Sequence, residues 1–460
     1  MADMSMKKTP VAEQDPNLRN KNFSEVCLGY TEAEAIKEAA RCLGCKNRPC
    51  VSGCPVGVKI PDFIKKVSEG DFKRAYDIIS LDNSLPAVCG RVCPQENQCE
   101  GKCIRGIKGE SVAIGRLERF VADWNMQNGC NESQKPAPNG KKVAIIGAGP
   151  AGLACAGDLA KKGYSVTIFE AFHTAGGVLQ YGIPEFRLPK KIVDREVENL
   201  KNLGVEILTD MVIGKVLSID DIYSMGYEAV FIGTGAGLPQ FMGIKGEDSV
   251  GVYSANEFLT RINLMKAYLN EYDTPVHKAK AVAVVGGGNV AMDAARCAKR
   301  LGTDKVYIVY RRSLDEMPAR NEEIHHAVEE GIELLLLTNP TEILADDNGY
   351  VKALSCVKMQ LGEPDASGRR RPVPIENSEF ELEVDSVIMA LGTSPNPIIR
   401  GATEGLETNK KGCFTVDDNL MTTRQGIFAG GDAVTGAATV ILAMGAGKKA
   451  ANSIDEYLSK

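Results

Sequence analysis

The stretch Lys142-Val-Ala-Ile-Ile-Gly147-Ala-Gly149-Pro-Ala-Gly152-Leu153 decides the fold. Five residues read as a buried strand, three glycines follow at the spacing Gly147-x-Gly149-x-x-Gly152, and a helix opens at Gly149 and runs to Lys162. A second strand, Ser165-Val-Thr-Ile-Phe169, ends at Glu170, eighteen residues after Gly152. Glycines at these positions let a pyrophosphate approach the backbone at a helix N-terminus, and the acid accepts from a ribose hydroxyl. Gly147, Gly149, Pro150, Ala151, Gly152 and Glu170 are therefore candidate dinucleotide ligands.

The same unit recurs about 140 residues later, so two doubly wound sheets are expected. Ala281-Val-Ala-Val-Val285 is its first strand, Gly286-x-Gly288-Asn289-x-Ala291 its loop, and Val306-Tyr-Ile-Val-Tyr310 its second strand. No acid follows here; Arg311-Arg312 does, and two guanidiniums suit a 2′-phosphate, which favours NADP(H) over NAD(H). A solvated arginine pair is the plain reading of the same residues. The first unit is assigned to FAD by two further segments. Ile427-Phe-Ala-Gly-Gly431-Asp432 brings an aspartate to a strand end, where it meets ribityl and phosphate groups. Gly176-Gly177-Val178-Leu-Gln-Tyr-Gly182 supplies a glycine-rich turn to lie against the ring.

Ahead of both units lie eight cysteines, Cys42-x2-Cys45-x4-Cys50-x3-Cys54-Pro55 and Cys89-x3-Cys93-Pro94-x4-Cys99-x3-Cys103. Thiolates are soft ligands for iron–sulfur clusters or zinc. The Cys-x3-Cys-Pro ending follows the bacterial ferredoxin pattern, in which the last cysteine serves the other cluster. The four-residue gap before Cys50 excludes the small ferredoxin fold itself. Sharing of ligands predicts two [4Fe-4S] clusters, one on Cys42, Cys45, Cys50 and Cys103, the other on Cys54, Cys93 and Cys99. The final ligand is open between Cys89, which the count favours, and Glu118. Structural zinc is the rival use of these thiols.

The surrounding residues predict helices over 31–125, with Thr31 capping Glu32–Arg41 and Ile114, Leu117, Val121 and Trp124 sharing a face. Gln127–Gly140 reads as a linker. The domains expected are 1–140 (arm, α-helical cluster domain, linker), 141–278 with 395–460 (FAD) and 279–394 (NADP(H)), an α/β architecture behind a helical iron–sulfur domain. A 460-residue chain with 44% hydrophobic residues and a net charge of −6 gives no sign of a nucleic-acid partner. No apolar run spans a membrane and the N-terminus lacks a signal-peptide core, so a cytoplasmic protein with metal-ligating or free thiols is expected. Four histidines leave little for triad chemistry. No close cysteine pair lies near the flavin segment, which excludes dithiol relay, and Cys155 and Cys297 read as buried helical residues. No general base is visible, and hydride transfer depends on alignment instead.

With these motifs in place the chain resembles the glutamate synthase small-chain family over essentially its whole length. The resemblance rests on Arg41-Cys-Leu-Gly-Cys45, Gly53-Cys-Pro-Val56, Gly90-Arg-Val-Cys-Pro-Gln95, Cys99-Glu-Gly-Lys-Cys103, Val143–Leu153, Tyr310-Arg-Arg312, Gly362-Glu-Pro-Asp365 and Phe428-Ala-Gly-Gly-Asp432. The N-terminal half of dihydropyrimidine dehydrogenase is similar too. The family joins an α-helical ferredoxin domain to a FAD/NADPH reductase module. In it the last cluster ligand is a carboxylate or amide ending an Ile-Gly-x-Leu-Glu/Gln stretch, which implies Glu118 here, with Cys89 beside the cluster. Within the family, Pro10–Pro16, Val252–Met265 and Glu316-Met-Pro-Ala-Arg320 most resemble the large subunit of NADH-dependent reduced ferredoxin:NADP+ oxidoreductase, an electron-bifurcating complex. That likeness implies ferredoxin and a small FAD/[2Fe-2S] subunit as partners; the family at large implies a large glutamate synthase subunit. A partner-docking module with structural clusters is the non-enzymatic alternative.

Overall fold

In a computed structural model, residues 3–129, 136–364 and 368–460 are described. Cys130–Lys135 of the expected linker and Asp365 of the Gly362–Asp365 motif lie outside them.

The first parallel sheet has five strands in the order Ile427–Ala429, Ala229–Ile232, Lys142–Ile146, Ser165–Phe169, Glu206–Leu208. Beyond their first residues its central strands are buried and mainly apolar, because both faces of the sheet are covered. The helix Pro150–Lys161 packs along Val440–Leu458, which carries Gly447 where a Cβ would stand 2.1 Å from the Ala151 carbonyl oxygen. The second parallel sheet is also five-stranded, ordered Glu333–Leu335, Lys305–Val309, Ala281–Val285, Ser386–Met389, Val252–Ser254. An antiparallel sheet (Thr338–Ala345, Val351–Pro364, Arg370–Pro374, Phe380–Glu383) is inserted before the strand Ser386–Met389. The expected boundary at 278/279 is corrected by this topology: Val252–Ser254 pairs in parallel with Ser386–Met389, so the second domain takes in chain from about residue 250. Leu238–Pro239 and Thr393–Ser394 pair antiparallel where the chain crosses between the domains.

The region before residue 129 is mainly helical: Glu32–Ala39, Ile60–Ser68, Phe72–Ser80, Pro86–Val92 and Ile114–Asn128 are its principal helices. Thr31 starts the first with a reciprocal capping box to Glu34. Gly90 lets Pro86–Val92 lie against Ile114–Asn128, since a Cβ there would be 2.5 Å from the Arg119 nitrogen. One apolar core runs without a break from Phe63, Leu117 and Val121 into Val143, Phe231 and Met444 of the first sheet, so cluster domain and flavin-side domain are packed as one unit.

The N-terminal arm straps onto the second domain. The Val26 N–H donates to the Phe186 carbonyl at 2.9 Å, Phe23 stacks on Tyr268 at 4.3 Å between centroids, and buried Arg19 donates to Glu330 at 3.0 Å. Among the described residues no helix is long and apolar enough to cross a membrane.

Candidate functional site

Both glycine loops open onto one cavity of 1740 Å³ between the two sheets. Each loop is shaped by a close backbone approach. Gly147 has φ +101° and a Cβ there would stand 2.7 Å from the Gly233 oxygen; Gly286 has φ +143° and would place its Cβ 2.4 Å from the Ala390 oxygen. The cavity side of the loops is open: beside a Cβ on Gly149 the nearest atom is the Gly233 oxygen at 4.0 Å, and beside one on Gly288 nothing comes within 4 Å. The helices Pro150–Lys161 and Asn289–Arg300 start there without a side-chain cap, so their first N–H groups are available to an anion. The residues thus fit two dinucleotides.

Of the residues expected around them, Gly147, Gly149, Pro150, Ala151, Glu170, Gly177, Val178, Gly182, Gly286, Gly288, Asn289, Arg311, Arg312 and Asp432 line the cavity. Gly152, Gly176 and Gly431 shape its wall from behind. A Cβ on Gly152 would fall 1.9 Å from the Gly147 oxygen, and the Gly176 N–H donates to the Ala148 carbonyl. Glu170 is buried, with burial raising its carboxyl; it accepts the N–H groups of Ala148 at 2.7 Å and Phe172 at 2.8 Å. Lone pairs remain for a ribose hydroxyl. Burial pushes Asp432 up to about 6, opposed by the Ala438 N–H at 3.3 Å. The two arginines behave differently. Arg311 is exposed, while Arg312 is buried and its Nε donates to the Arg370 carbonyl at 2.9 Å, which turns part of that guanidinium to holding the strand Arg370–Pro374. Sequence reasoning missed Gly233–Gly237, Arg187, Asp293 and Arg369, which also line the cavity. The Gly-Thr-Gly-Ala-Gly run after the strand Ala229–Ile232 was a readable signal for the first of these.

The thiols gather in two groups, and all the described cysteines are free. Burial raises the Cys42 thiol, and Cys103 and Cys45 beside it raise it further; Cys50 is held up to about 11 by burial and by Cys42 and Cys103. In the second group burial raises Cys54 and Cys99, and Glu118 adds to both; Cys93 is raised by its hydrogen bond with Cys89, by burial and by Glu118 and Cys99. These are the sets expected from ligand sharing. Thiols raised in this way are suited to soft metal ions, which bind the thiolate and remove the penalty.

The structure brings both rivals for the last ligand to the second group and joins them through Asn83, which the sequence did not signal. The Asn83 amide donates to Glu118 Oε1 at 2.7 Å, and the Cys89 thiol is 3.7 Å from Asn83 Oδ1. Burial pushes Glu118 up to about 7 against that bond. Cys89 Sγ also meets Met444 Sδ at 3.5 Å, on the C-terminal helix of the first domain. The second group adjoins the dinucleotide cavity, since Val92 and Pro94, flanking Cys93, line it.

A family model described as dihydropyrimidine dehydrogenase domain II, 4Fe-4S cluster, matches residues 19–130, and the pyridine nucleotide-disulphide oxidoreductase model matches residues 141–448. The Glutamate synthase [NADPH] small chain of Escherichia coli (strain K12) is 37% identical over 449 residues, covering 96% of this chain and 95% of that protein. The chain belongs to the glutamate synthase small-chain family. Another relative, the NADP(+)-dependent formate dehydrogenase subunit beta of Moorella thermoacetica, is 42% identical over 436 residues; the match covers 89% of this chain and 60% of that longer protein. Among solved structures, Mycobacterium tuberculosis FprA in complex with NADPH aligns with a TM-score of 0.58 at 18% identity, covering 69% of this chain and 84% of that one, which is a likeness of fold. Like others of the glutamate synthase small-chain family, the chain joins a 4Fe-4S domain to a two-domain pyridine nucleotide oxidoreductase fold.

Proposed function

We propose that this chain is the NADP(H)-oxidising subunit of a flavin iron–sulfur oxidoreductase. FAD would be held by Gly147–Gly152, Glu170, Gly177–Gly182 and Asp432, and NADP(H) by Gly286–Asn289 with Arg311 and Arg312 toward the 2′-phosphate. Two [4Fe-4S] clusters would be held by Cys42, Cys45, Cys50, Cys103 and by Cys54, Cys93, Cys99, Glu118. FAD, when bound, accepts a hydride from a nicotinamide and gives electrons singly to iron–sulfur centres. The observation that carries this reading is the shared wall: residues flanking Cys93 line the cavity into which both dinucleotide loops open. The protein's own part is alignment and exclusion of water, with glycine backbone at both loops, apolar side chains over much of the wall, and Arg187, Asp293, Arg311 and Arg312 among the charged groups on it.

The partner reading that the sequence favours is electron bifurcation. In it, electrons from NADPH are divided between ferredoxin and a small FAD/[2Fe-2S] subunit that reduces NAD+, in keeping with Val252–Met265 and Glu316–Arg320. The second reading, a small chain feeding a large glutamine amidotransferase subunit, is favoured by the near end-to-end match to the Escherichia coli small chain. An anaerobic pull-down of the chain from its native host decides between them. A small flavoprotein with a [2Fe-2S] centre establishes bifurcation, and a very large glutaminase-containing chain establishes glutamate synthase. Recovery of the chain alone, active with NADPH and ferredoxin, overturns both partner readings.

A further inference from the structure

Two short motifs 225 residues apart in sequence meet in the interior. The segment Glu316-Met-Pro-Ala-Arg320 backs the second glycine loop. The Ala319 N–H donates to the Gly287 carbonyl at 3.2 Å, and the Arg320 N–H donates to Asn289 Oδ1 at 2.9 Å. Pro318 lines the cavity beside Gly288 and Asn289. The Arg320 side chain then leaves its own domain. Its Nη2 donates to Gln95 Oε1 at 3.0 Å and its Nη1 to the Arg91 carbonyl at 3.2 Å, with Glu96 3.4 Å from Nε. Glu322 Oε2 takes a further bond at 2.8 Å, and the whole residue is 7% exposed.

Gln95 is equally constrained. It is 7% exposed, its Nε2 faces the carbonyls of Cys89 and Gly90 at 3.4 Å each, and it fills the space above Gly115, where a Cβ would be 2.3 Å from that nitrogen. Gln95 follows Cys93 by two positions, and Gly115 precedes Glu118 by three on the same helix. A continuous line of hydrogen-bonded groups therefore runs from the nucleotide loop through half-buried Asn289 and buried Arg320 and Gln95 to the wall that carries Cys89, Cys93 and Glu118. A guanidinium so enclosed cannot turn toward water without abandoning acceptors on both domains, so a shift of the loop is passed across the interface.

We propose that Arg320 is a positioning residue that couples occupancy of the NADP(H) loop to the redox centre held by Cys93 and its neighbours. This rests on the functional reading above. The coupling is reciprocal: if bound NADP+ changes the potential of that centre, reduction of the centre changes NADP+ affinity by the same factor. Allosteric couplings usually fall between about 5- and 150-fold, and a tenfold affinity ratio corresponds to about 59 mV for a one-electron centre.

The test is an anaerobic redox titration of the full, cluster-loaded chain with and without saturating NADP+, followed by the EPR signal of each cluster, with NADP+ binding measured by equilibrium dialysis. In the wild type NADP+ shifts one cluster signal and its midpoint by about 59 mV, the tenfold coupling. In Arg320→Ala the shift is lost while NADP+ still binds the oxidised protein within about threefold of wild type. Arg320→Lys restores part of it, and Gln95→Leu, which leaves the nucleotide side intact, abolishes it. No shift in the wild type, or an undiminished shift in both Arg320→Ala and Gln95→Leu, overturns the coupling. A wild-type chain that carries clusters and binds NADP+ but shows no shift leaves the functional reading standing. One that binds no NADP+, or has no EPR-active cluster, overturns that reading and the coupling with it.

Discussion

Glu330→Gln tests the buried joint that ties the N-terminal arm to the second domain. Glu330 is 1% exposed and accepts five guanidinium hydrogen bonds, one from Arg19 at 3.0 Å, two from Arg296 at 3.0 and 2.8 Å, and two from Arg300 at 2.6 and 3.0 Å. Burial alone would raise its carboxyl, but the bonds and charges of Arg300 and Arg296 outweigh it and hold the group from 4.5 down to about 2. At 1.36 kcal/mol per unit this is about 3 kcal/mol of stability, at the lower edge of the 3–5 expected when one partner of a buried ion pair is removed. Glutamine keeps the volume and one acceptor but removes the charge. Arg19 retains Glu329 and Arg296 retains Glu323, whereas Arg300 is left with the carbonyls of Asn22 and Arg296. The loss is confined to the second domain and the arm, so native-state hydrogen exchange along Asn289–Arg300 is the assay, and about 3 kcal/mol means roughly 100-fold faster exchange there. A depressed carboxyl stabilises fully above its unfolded value and loses that contribution as pH falls through the folded one. The wild type therefore loses protection between about pH 4.5 and 2, and the variant shows a smaller step, because Glu323, held down to about 2 by Arg187 and Arg296, still titrates there. Acceleration under fivefold, or the same acid step in the variant, would refute the reasoning.

Other substitutions separate the roles assigned above. Arg311→Ala should raise KM for NADPH by roughly 10- to 100-fold, the worth of one charge-assisted phosphate contact, with little change for NADH; equal effects on both nucleotides sink the 2′-phosphate assignment. Glu118→Ala should disturb the EPR signal of one cluster while iron content falls little; if only Cys89→Ala does so, the ligand is Cys89. Glu196 is buried and its carboxyl is pushed up to about 7, with the Ala87 N–H at 3.1 Å only partly opposing burial. A raised carboxyl costs stability above the folded value and nothing below the unfolded one, so Glu196→Gln should unfold at higher temperature than wild type at pH 8 and at the same temperature at pH 4. Lower thermal stability of the variant at pH 8 contradicts this. Gly177 has φ +54° and a Cβ there would be 2.8 Å from Gly149 Cα, so Gly177→Ala should lower the ratio of bound flavin to protein; a full flavin complement in the variant refutes the contact.

Both sheets were legible because a strand covered on both faces reads as an unbroken apolar run, and each run is followed by glycines whose spacing is tied to a turn. Lys142–Ile146 and Ala281–Val285 are of this kind. The Thr31 cap and the apolar face of Ile114–Asn128 were legible through local chemistry and helical period. The cysteine spacing, read by the ferredoxin pattern, separates Cys54 from Cys50 and Cys103 from Cys99, and in the fold Cys103 lies beside Cys42 and Cys50 while Cys54 lies beside Cys99. What depends on chain crossing was not legible. Val252–Ser254 is three residues long and was placed in the wrong domain, since its partner Ser386–Met389 lies more than a hundred residues on. The divergence of Arg311 and Arg312 depends on the Arg370 carbonyl, from a hairpin outside the βαβ unit. Asn83, between Glu118 and Cys89, and Arg320, against Gln95, are ordinary polar residues until the fold brings their partners to them.

The central claim is that this chain takes electrons from NADPH and hands them through its own iron–sulfur centres. An anaerobic titration of the purified, cofactor-loaded chain with NADPH tests it directly, with a regenerating system keeping NADP+ low and with flavin absorbance and cluster EPR followed together. The account predicts that the flavin bleaches and a reduced-cluster signal grows with it, both absent when NADH replaces NADPH at the same concentration. Bleached flavin beside clusters that stay oxidised would make the clusters structural and contradict the account.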